Sequence, residues 1–153
     1  MHSIGVISDT HGLLRPEAVA ALSAVEHIVH AGDIGAAEIL AALGRIAPVT
    51  AVRGNNDRGS WAGRIEARAV LDFQGHRLLV LHDLAELRFD PAREGYSAVI
   101  SGHSHQPRIE RRDGVLYLNP GSAGPRRFKL PISVAILRIS THGMDAEISE
   151  LAT

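Results

Sequence analysis

Short apolar runs of about five residues alternate with longer stretches whose apolar positions fall on one helical face. "IGVIS" (4–8), "HIVHAGD" (27–33) and "PVTAVRGNND" (48–57) each read as a buried strand that ends in polar or glycine-rich text. Between them, "RPEAVAALSAV" (15–25) places proline near the start of a run of helix formers, and "AAEILAALGRI" (36–46) is a second helix stopped near Gly44. This βαβαβ order predicts a parallel sheet with right-handed crossovers. After residue 64 hairpins dominate. "RIEARAVLDFQGHRLLVLHD" (64–83) turns at Gln74-Gly75, and "QPRIERRDGVLYLNPGS" (106–122) turns at Asp113-Gly114, a strong hairpin dipeptide. "LAELRFDPAREG" (84–95) is expected to be helical in part, interrupted by Pro91. "YSAVISG" (96–102) is a buried strand, and 132–140 and 144–151 are final strands joined at "THG". An α/β sandwich follows: two packed sheets, the second largely antiparallel, with helices outside.

Composition narrows the class. With 153 residues the chain suits one domain, 1–153. Aromatic residues are only 4%, so the core is built from Ala, Val, Leu and Ile. Sixteen Lys+Arg against 17 Asp+Glu give a net charge of -1, which argues against a coat for nucleic acid or anionic membrane. There is no cysteine, so disulfides and thiolate metal sites are excluded and a reducing compartment is permitted. The N-terminal text lacks a secretory pattern and no run is long enough to span a bilayer, so a cytoplasmic location is expected.

The chemistry-bearing side chains share one address. Asp9 and His11, Asp33, Asn55, His82, and His103 with His105 each follow the end of a buried strand. Loops beyond the carboxyl ends of parallel strands form one rim, where ligands bind. In locally extended chain, residues two apart point the same way, so Asp9/His11 and His103/His105 can each aim inward as a pair. Carboxylate, amide and imidazole donors without thiolate suit Mn, Fe, Zn, Co or Ni. Seven donors exceed the need of one ion and suffice for two if a carboxylate bridges, the clamp used in phosphoryl-ester hydrolysis. A plainer reading exists for each donor alone: Asp33, before "IGAAEILAAL", is a candidate helix N-cap. His2, His27, His76 and His142 are read as surface or hydrogen-bonded residues, and His30 as part of its strand.

Asp9-Thr-His11, Gly32-Asp33, Gly54-Asn55-Asn56-Asp57, His82 and Gly102-His103-Ser-His105, in this order, resemble the signature of calcineurin-like metallophosphoesterases. The size, "SDTHG" and "NPGS" (119–122) are similar to the small YfcE-type phosphodiesterase branch. The resemblance implies a four-layer αββα fold with two mixed sheets flanked by helices. It implies two divalent transition-metal ions, with Mn²⁺ the expected activator. One would be held by Asp9, His11, Asp33 and His105, the other by Asp33, Asn55, His82 and His103, with Asp33 bridging. Catalysis would depend on Asp33, Asn55 and His82, and a metal-bridging hydroxide would attack a phosphate diester. The rival substrates are phosphomonoesters, nucleotides or dinucleotides, and the rival class is a non-catalytic scaffold of the same fold. Many relatives carry histidine where this chain has Asn56, and asparagine cannot transfer a proton. Asp57 is read as a turn or supporting residue. Asn119 and Ser122 support the site or form a plain loop; Arg126, Arg127 and Lys129 bind phosphate or are solvated. Trp61 lines the entrance or covers the core. The expected partner is a small phosphoester, with no membrane, no nucleic acid and possible pairing of the late strands in a homo-oligomer.

Overall fold

The computed structural model describes all 153 residues. Strands β1 (His2–Ile7), β2 (His27–His30) and β3 (Val49–Ala51) run parallel, linked by helices α1 (Pro16–Ala21) and α2 (Ala37–Gly44). The long terminal hairpin β9 (Ser133–Ser140) and β10 (Gly143–Glu150) joins this sheet antiparallel to β1, giving the order β10-β9-β1-β2-β3. The second sheet runs β4 (Arg68–Phe73), β5 (His76–Leu81), β6 (Ala98–Ile100), β8 (Val115–Asn119) and β7 (Arg108–Arg112). Its centre, β5-β6-β8, is parallel, so this sheet is mixed and less antiparallel than the hairpin text suggests. Both predicted hairpins form, with Gln74 (φ 51°) and Asp113 (φ 52°) sharing positive φ with the glycine that follows each. That pair of left-handed residues is what a tight primed turn needs.

Strict alternation along the strands divides the core into layers. Ile4, Val6, Val29 and Leu137 of one sheet face Leu78, Val80, Ile100 and Leu118 of the other, all essentially sealed from solvent. Residues of opposite parity, Ile7 and Ile28, pack beneath Leu22 and Leu43 of the helical layer. Burying each such side chain stabilises the fold by about 1.5–3 kcal/mol. Trp61, half-buried, packs on this layer.

The outer face of the second sheet is covered differently from expectation. Leu79, Leu81 and Val99 lie under Leu84, Leu87, Phe89 and Tyr96. This segment contains one 3₁₀ turn, Leu84–Glu86, and otherwise turns, with no α-helix. The side chains of Asp83 and Asp90 accept from the N–H groups of Ala85 and Ala92, two residues on, and Pro91 follows at once. Such local bonds compete with helix propagation. The sandwich is therefore complete with a fourth layer of irregular chain. No helix is long and apolar enough to cross a membrane.

Because β1-β2-β3 and β5-β6-β8 are both parallel sets, their carboxyl ends can meet at one rim. They do: the loop after β6 touches the loop after β1, and the loop after β5 touches the end of β2.

Candidate metal centre

Two clusters of donors sit on this rim. Asp9, His11 and His105 form one; Asp33, His82 and His103 form the other. Asp9 is fully buried, and its Oδ2 accepts from the Ser8 hydroxyl (2.7 Å) and the His103 backbone N–H (3.1 Å). Its Oδ1 has no hydrogen-bond partner. Around that atom stand Nε2 of His105 at 3.3 Å, of His11 at 3.7 Å and of His82 at 3.8 Å. Buried polar atoms are almost always satisfied, so an orphaned carboxylate oxygen ringed by imidazole nitrogens asks for a cation. With metal–ligand bonds of about 2.1 Å, neighbouring donors on one ion stand about 3.0–3.5 Å apart. The 3.3 Å to His105 falls in that range, and the 3.7 Å to His11 lies just beyond it.

Asp33 links the clusters. Its Oδ2 is 3.7 Å from His11 Nε2 and 3.3 Å from His82 Nε2, so one oxygen faces a member of each. Its Oδ1 accepts from the Asn56 N–H (2.9 Å), and its Oδ2 from the Asn56 side-chain amide (3.1 Å). Asp33 does not cap the helix after it: α2 begins four residues later, with Ala36 in the capping position. His82 Nδ1 donates to the Ala31 carbonyl at 2.7 Å, which turns Nε2 toward the carboxylates. His103 is the most exposed donor, with Nδ1 3.3 Å from His82 Nε2 and Nε2 3.7 Å from Asp83 Oδ2. Asn55 is exposed in the turn that carries Asn56.

The electrostatics follow from this crowding. Burial opposes charge on Asp9, Asp33 and His82 alike. For Asp9, His105 and Ser8 outweigh it and lower the pKa; for Asp33, His82 and the Asn56 N–H do the same. For His82, Asp33, Asp9 and the Ala31 carbonyl outweigh burial and raise the pKa. Without metal, the two carboxylates stay ionised and lean on the imidazoles as counter-charges.

Five donors hold an unusual backbone. Asp9 (φ 55°), His11 (48°), Asp33 (55°), His103 (70°) and His105 (63°) are all left-handed. Non-glycine residues in this region are uncommon and concentrate at functional sites. Two glycines make room nearby. A Cβ on Gly54 would lie 2.2 Å from Asp33 Oδ1 and 2.3 Å from Asp33 N. One on Gly102 would lie 2.0 Å from Ser8 Oγ and 2.7 Å from Asp9 Oδ2.

A layer of supporting polar residues lies beneath the donors. Asp57 accepts from the N–H groups of Ile34 (2.8 Å), Gly35 (3.0 Å) and Gly54 (2.9 Å), tying the Asp33 loop to the Asn55 loop. Asn119 Nδ2 donates to the Gly102 carbonyl and to Ser104 Oγ, and the Ser122 hydroxyl donates to the Asp9 carbonyl. Arg126 instead donates to the Leu130 carbonyl and the Thr153 hydroxyl, tying its own loop to the C-terminus.

His30 carries more than its place in a strand suggests. It is fully buried, accepts from the Gly32 N–H at Nδ1 (3.1 Å), and meets Thr10 Oγ1 at Nε2 (2.9 Å); Thr10 in turn donates to the Ile34 carbonyl (2.8 Å). Because Nδ1 accepts and the Thr10 proton is committed to Ile34, Nε2 must carry the hydrogen, and the ring is neutral. Burial lowers its pKa to about 4. The unfolded chain binds this proton from the ordinary value near 6.5 downward, and the folded chain only near 4. His30 therefore subtracts stability as pH falls through that window, by about 3 kcal/mol in all. In urea unfolding of metal-free protein, His30→Gln is expected to show a shallower loss of stability between pH 6.5 and 4 than the unaltered chain. Equal slopes would mean that His30 is not held neutral.

A model of the calcineurin-like phosphoesterase superfamily domain matches residues 2–142. A probable metallophosphoesterase of Methanothermobacter thermautotrophicus is 40% identical over 157 residues, covering 95% of this chain and 90% of that protein. Among solved structures, one described as a novel archaeal phosphodiesterase superposes with a TM-score of 0.80 at 23% identity, over 96% of this chain and 99% of that one. Wild-type Vps29 of Entamoeba histolytica, solved with Zn²⁺, superposes with a TM-score of 0.75 at 18% identity, over 97% and 98%. The paired donor clusters, the two-sheet frame that sets them on one rim and these likenesses agree that the chain belongs to the calcineurin-like phosphoesterase superfamily, a family of metal-binding hydrolases.

Proposed function

We propose that this chain is a two-metal phosphodiesterase acting on a small phosphate diester, with Mn²⁺ as its activating metal. The observation that carries the reading is Asp33 Oδ2, which faces His11 of one cluster and His82 of the other. One ion would be held by Asp9, His11, Asp33 and His105, and the second by Asp33, Asn55, His82 and His103. Bound there, the ions would supply Lewis-acid charge to the phosphoryl oxygens and lower the pKa of a water. The chain's own part is to hold donors apart at the right spacing and to keep His82 in the tautomer that presents Nε2. Asn56, bonded to Asp33 through both its backbone and its side chain, is a positioning residue and no general acid. A leaving group that departs without full protonation suits such a site, which favours activated esters in assay.

The test uses protein stripped by chelator and reloaded with Mn²⁺. Initial rates on bis(p-nitrophenyl) phosphate and on p-nitrophenyl phosphate are compared on one preparation. The diester is expected to show a kcat/KM about tenfold higher or more, a difference of about 1.4 kcal/mol in the barrier. Equal or faster monoester turnover would overturn the diester reading. Two bound Mn²⁺ per chain with no turnover of either ester would favour a scaffold.

A further inference from the structure

A cleft of about 170 Å³ opens directly beside His103 and runs over the outer face of the second sheet. One wall is the Asp83–Leu84 loop; the floor is Tyr117 and Asn119 of β8; the far wall is β7. Strand alternation places Arg108, Glu110 and Arg112 on the same face of β7, and all three line the cleft. Arg108 pairs in register with Asn119, whose amide bonds Gly102 next to His103; Arg112 pairs with Val115 near the hairpin tip. The three side chains thus mark out a track about 13 Å long leading away from the donor clusters.

The two guanidinium groups share one acid. Glu110 forms ion pairs with both, its Oε2 2.5 Å from Arg108 Nη2 and its Oε1 3.3 Å from Arg112 Nε, and Arg112 lies over the Tyr117 ring at 4.2 Å. One carboxylate between two guanidinium groups leaves one net positive charge on this wall, which Asp83 on the opposite wall balances, and several free N–H donors. Asp83, the other acid of the cleft, is already engaged: Oδ1 accepts from the Ala85 N–H and Oδ2 faces His103. Isolated surface arginines would be flexible and solvated. These two share an acid on the wall of a concave site, and Arg112 has an aromatic face behind it as well, which lowers the ordering cost of binding an anion.

We propose that this cleft is the subsite for the substituent of the diester that extends away from the metals, and that it takes a short arm ending in a phosphate or carboxylate. The inference rests on the diesterase reading for its substrate class. The volume, roughly that of six waters, suits an arm of a few carbons. Arg108 and Arg112 then set specificity, and neither touches the donor clusters.

Two measurements test it. First, Mn²⁺-loaded protein is given two p-nitrophenyl diesters that differ only in the second arm, ethyl or 2-carboxyethyl. The carboxylate arm is expected to lower KM, raising kcat/KM about tenfold. Arg108→Gln/Arg112→Gln should erase that preference and leave ethyl-ester turnover unchanged. Second, metal-free protein is titrated with glycerol 3-phosphate and, separately, with glycerol, following the arginine Nε–H resonances by NMR. The Arg112 signal is expected to move with the phosphate compound alone. Shifts without turnover of either diester would sink the diesterase reading and keep the anion subsite. Ethyl-ester turnover with no preference and no shift would sink the subsite, as would a preference that survives in the double variant.

Discussion

Asp33→Asn is expected to lower kcat/KM for Mn²⁺-supported diester cleavage about a thousandfold without unfolding the protein. Metal charge on a transferring phosphoryl group is worth several kcal/mol, and each 1.36 kcal/mol is a factor of ten. Loss of the Asp33 charge affects both clusters, because its Oδ2 faces His11 and His82 together and stands closer to His82, at 3.3 Å, than Asp9 does at 3.8 Å. Asparagine is the informative replacement. It tolerates the left-handed backbone that Asp33 adopts, at φ 55°, and can still accept from the Asn56 N–H, so loop geometry is retained while the charge is lost. Circular dichroism should be unchanged, and the thermal stabilisation produced by Mn²⁺ should shrink sharply. Residual turnover within about tenfold of the unaltered chain would contradict a bridging role.

The second large effect is expected at a residue with no functional group. Gly54→Ala would place a methyl 2.3 Å from the Asp33 backbone nitrogen and 2.2 Å from its carboxylate. A backbone atom cannot rotate away, so one loop must move. The same glycine N–H is held by Asp57, which also holds Ile34 and Gly35, and moving it strains all three bonds. Overpacking of this kind costs about 1–3 kcal/mol, and a displacement near 1 Å at the reacting centre costs about a hundredfold in rate. Gly63→Ala is the control, since nothing lies within 4 Å of its added methyl. A thermal midpoint and a rate both unmoved by Gly54→Ala would mean that the Asp33 and Asn55 loops are not packed as described.

Much of this arrangement is legible in the text of the chain. The parallel order of β1-β2-β3, both hairpins and the terminal β9-β10 pair follow from periodicity and turn dipeptides, because those signals are local. The fourth layer is not, since "LAELRFDPAREG" opens on the helix formers Leu84–Arg88 and its fate is decided by Asp83 and Asp90 bonding their own backbone. The positions of the donors after strand ends are visible in sequence, but their partners are not. That His30 braces the Asp33 loop depends on the β1–β2 register, which sets Ile7 opposite His30 and brings Thr10 within reach. That Ser104 accepts from Asn119 depends on β6 and β8 being neighbours across a crossover. The Arg108–Glu110–Arg112 track lies in sequence text that gives only a hairpin turning at Asp113-Gly114, and the sheet shows which face these three share.

The left-handed backbone at Asp9, His11, Asp33, His103 and His105 bears on how such a site persists. Each position holds a conformation that glycine adopts freely and that other residues adopt at some cost. A chain no longer required to bind metal would gain stability by exchanging these five for glycine or asparagine, and mutations that stabilise are readily found when function does not oppose them. Selection for folding alone would wear the donor set away one loop at a time. A complete set on strained backbone is what continued use would preserve.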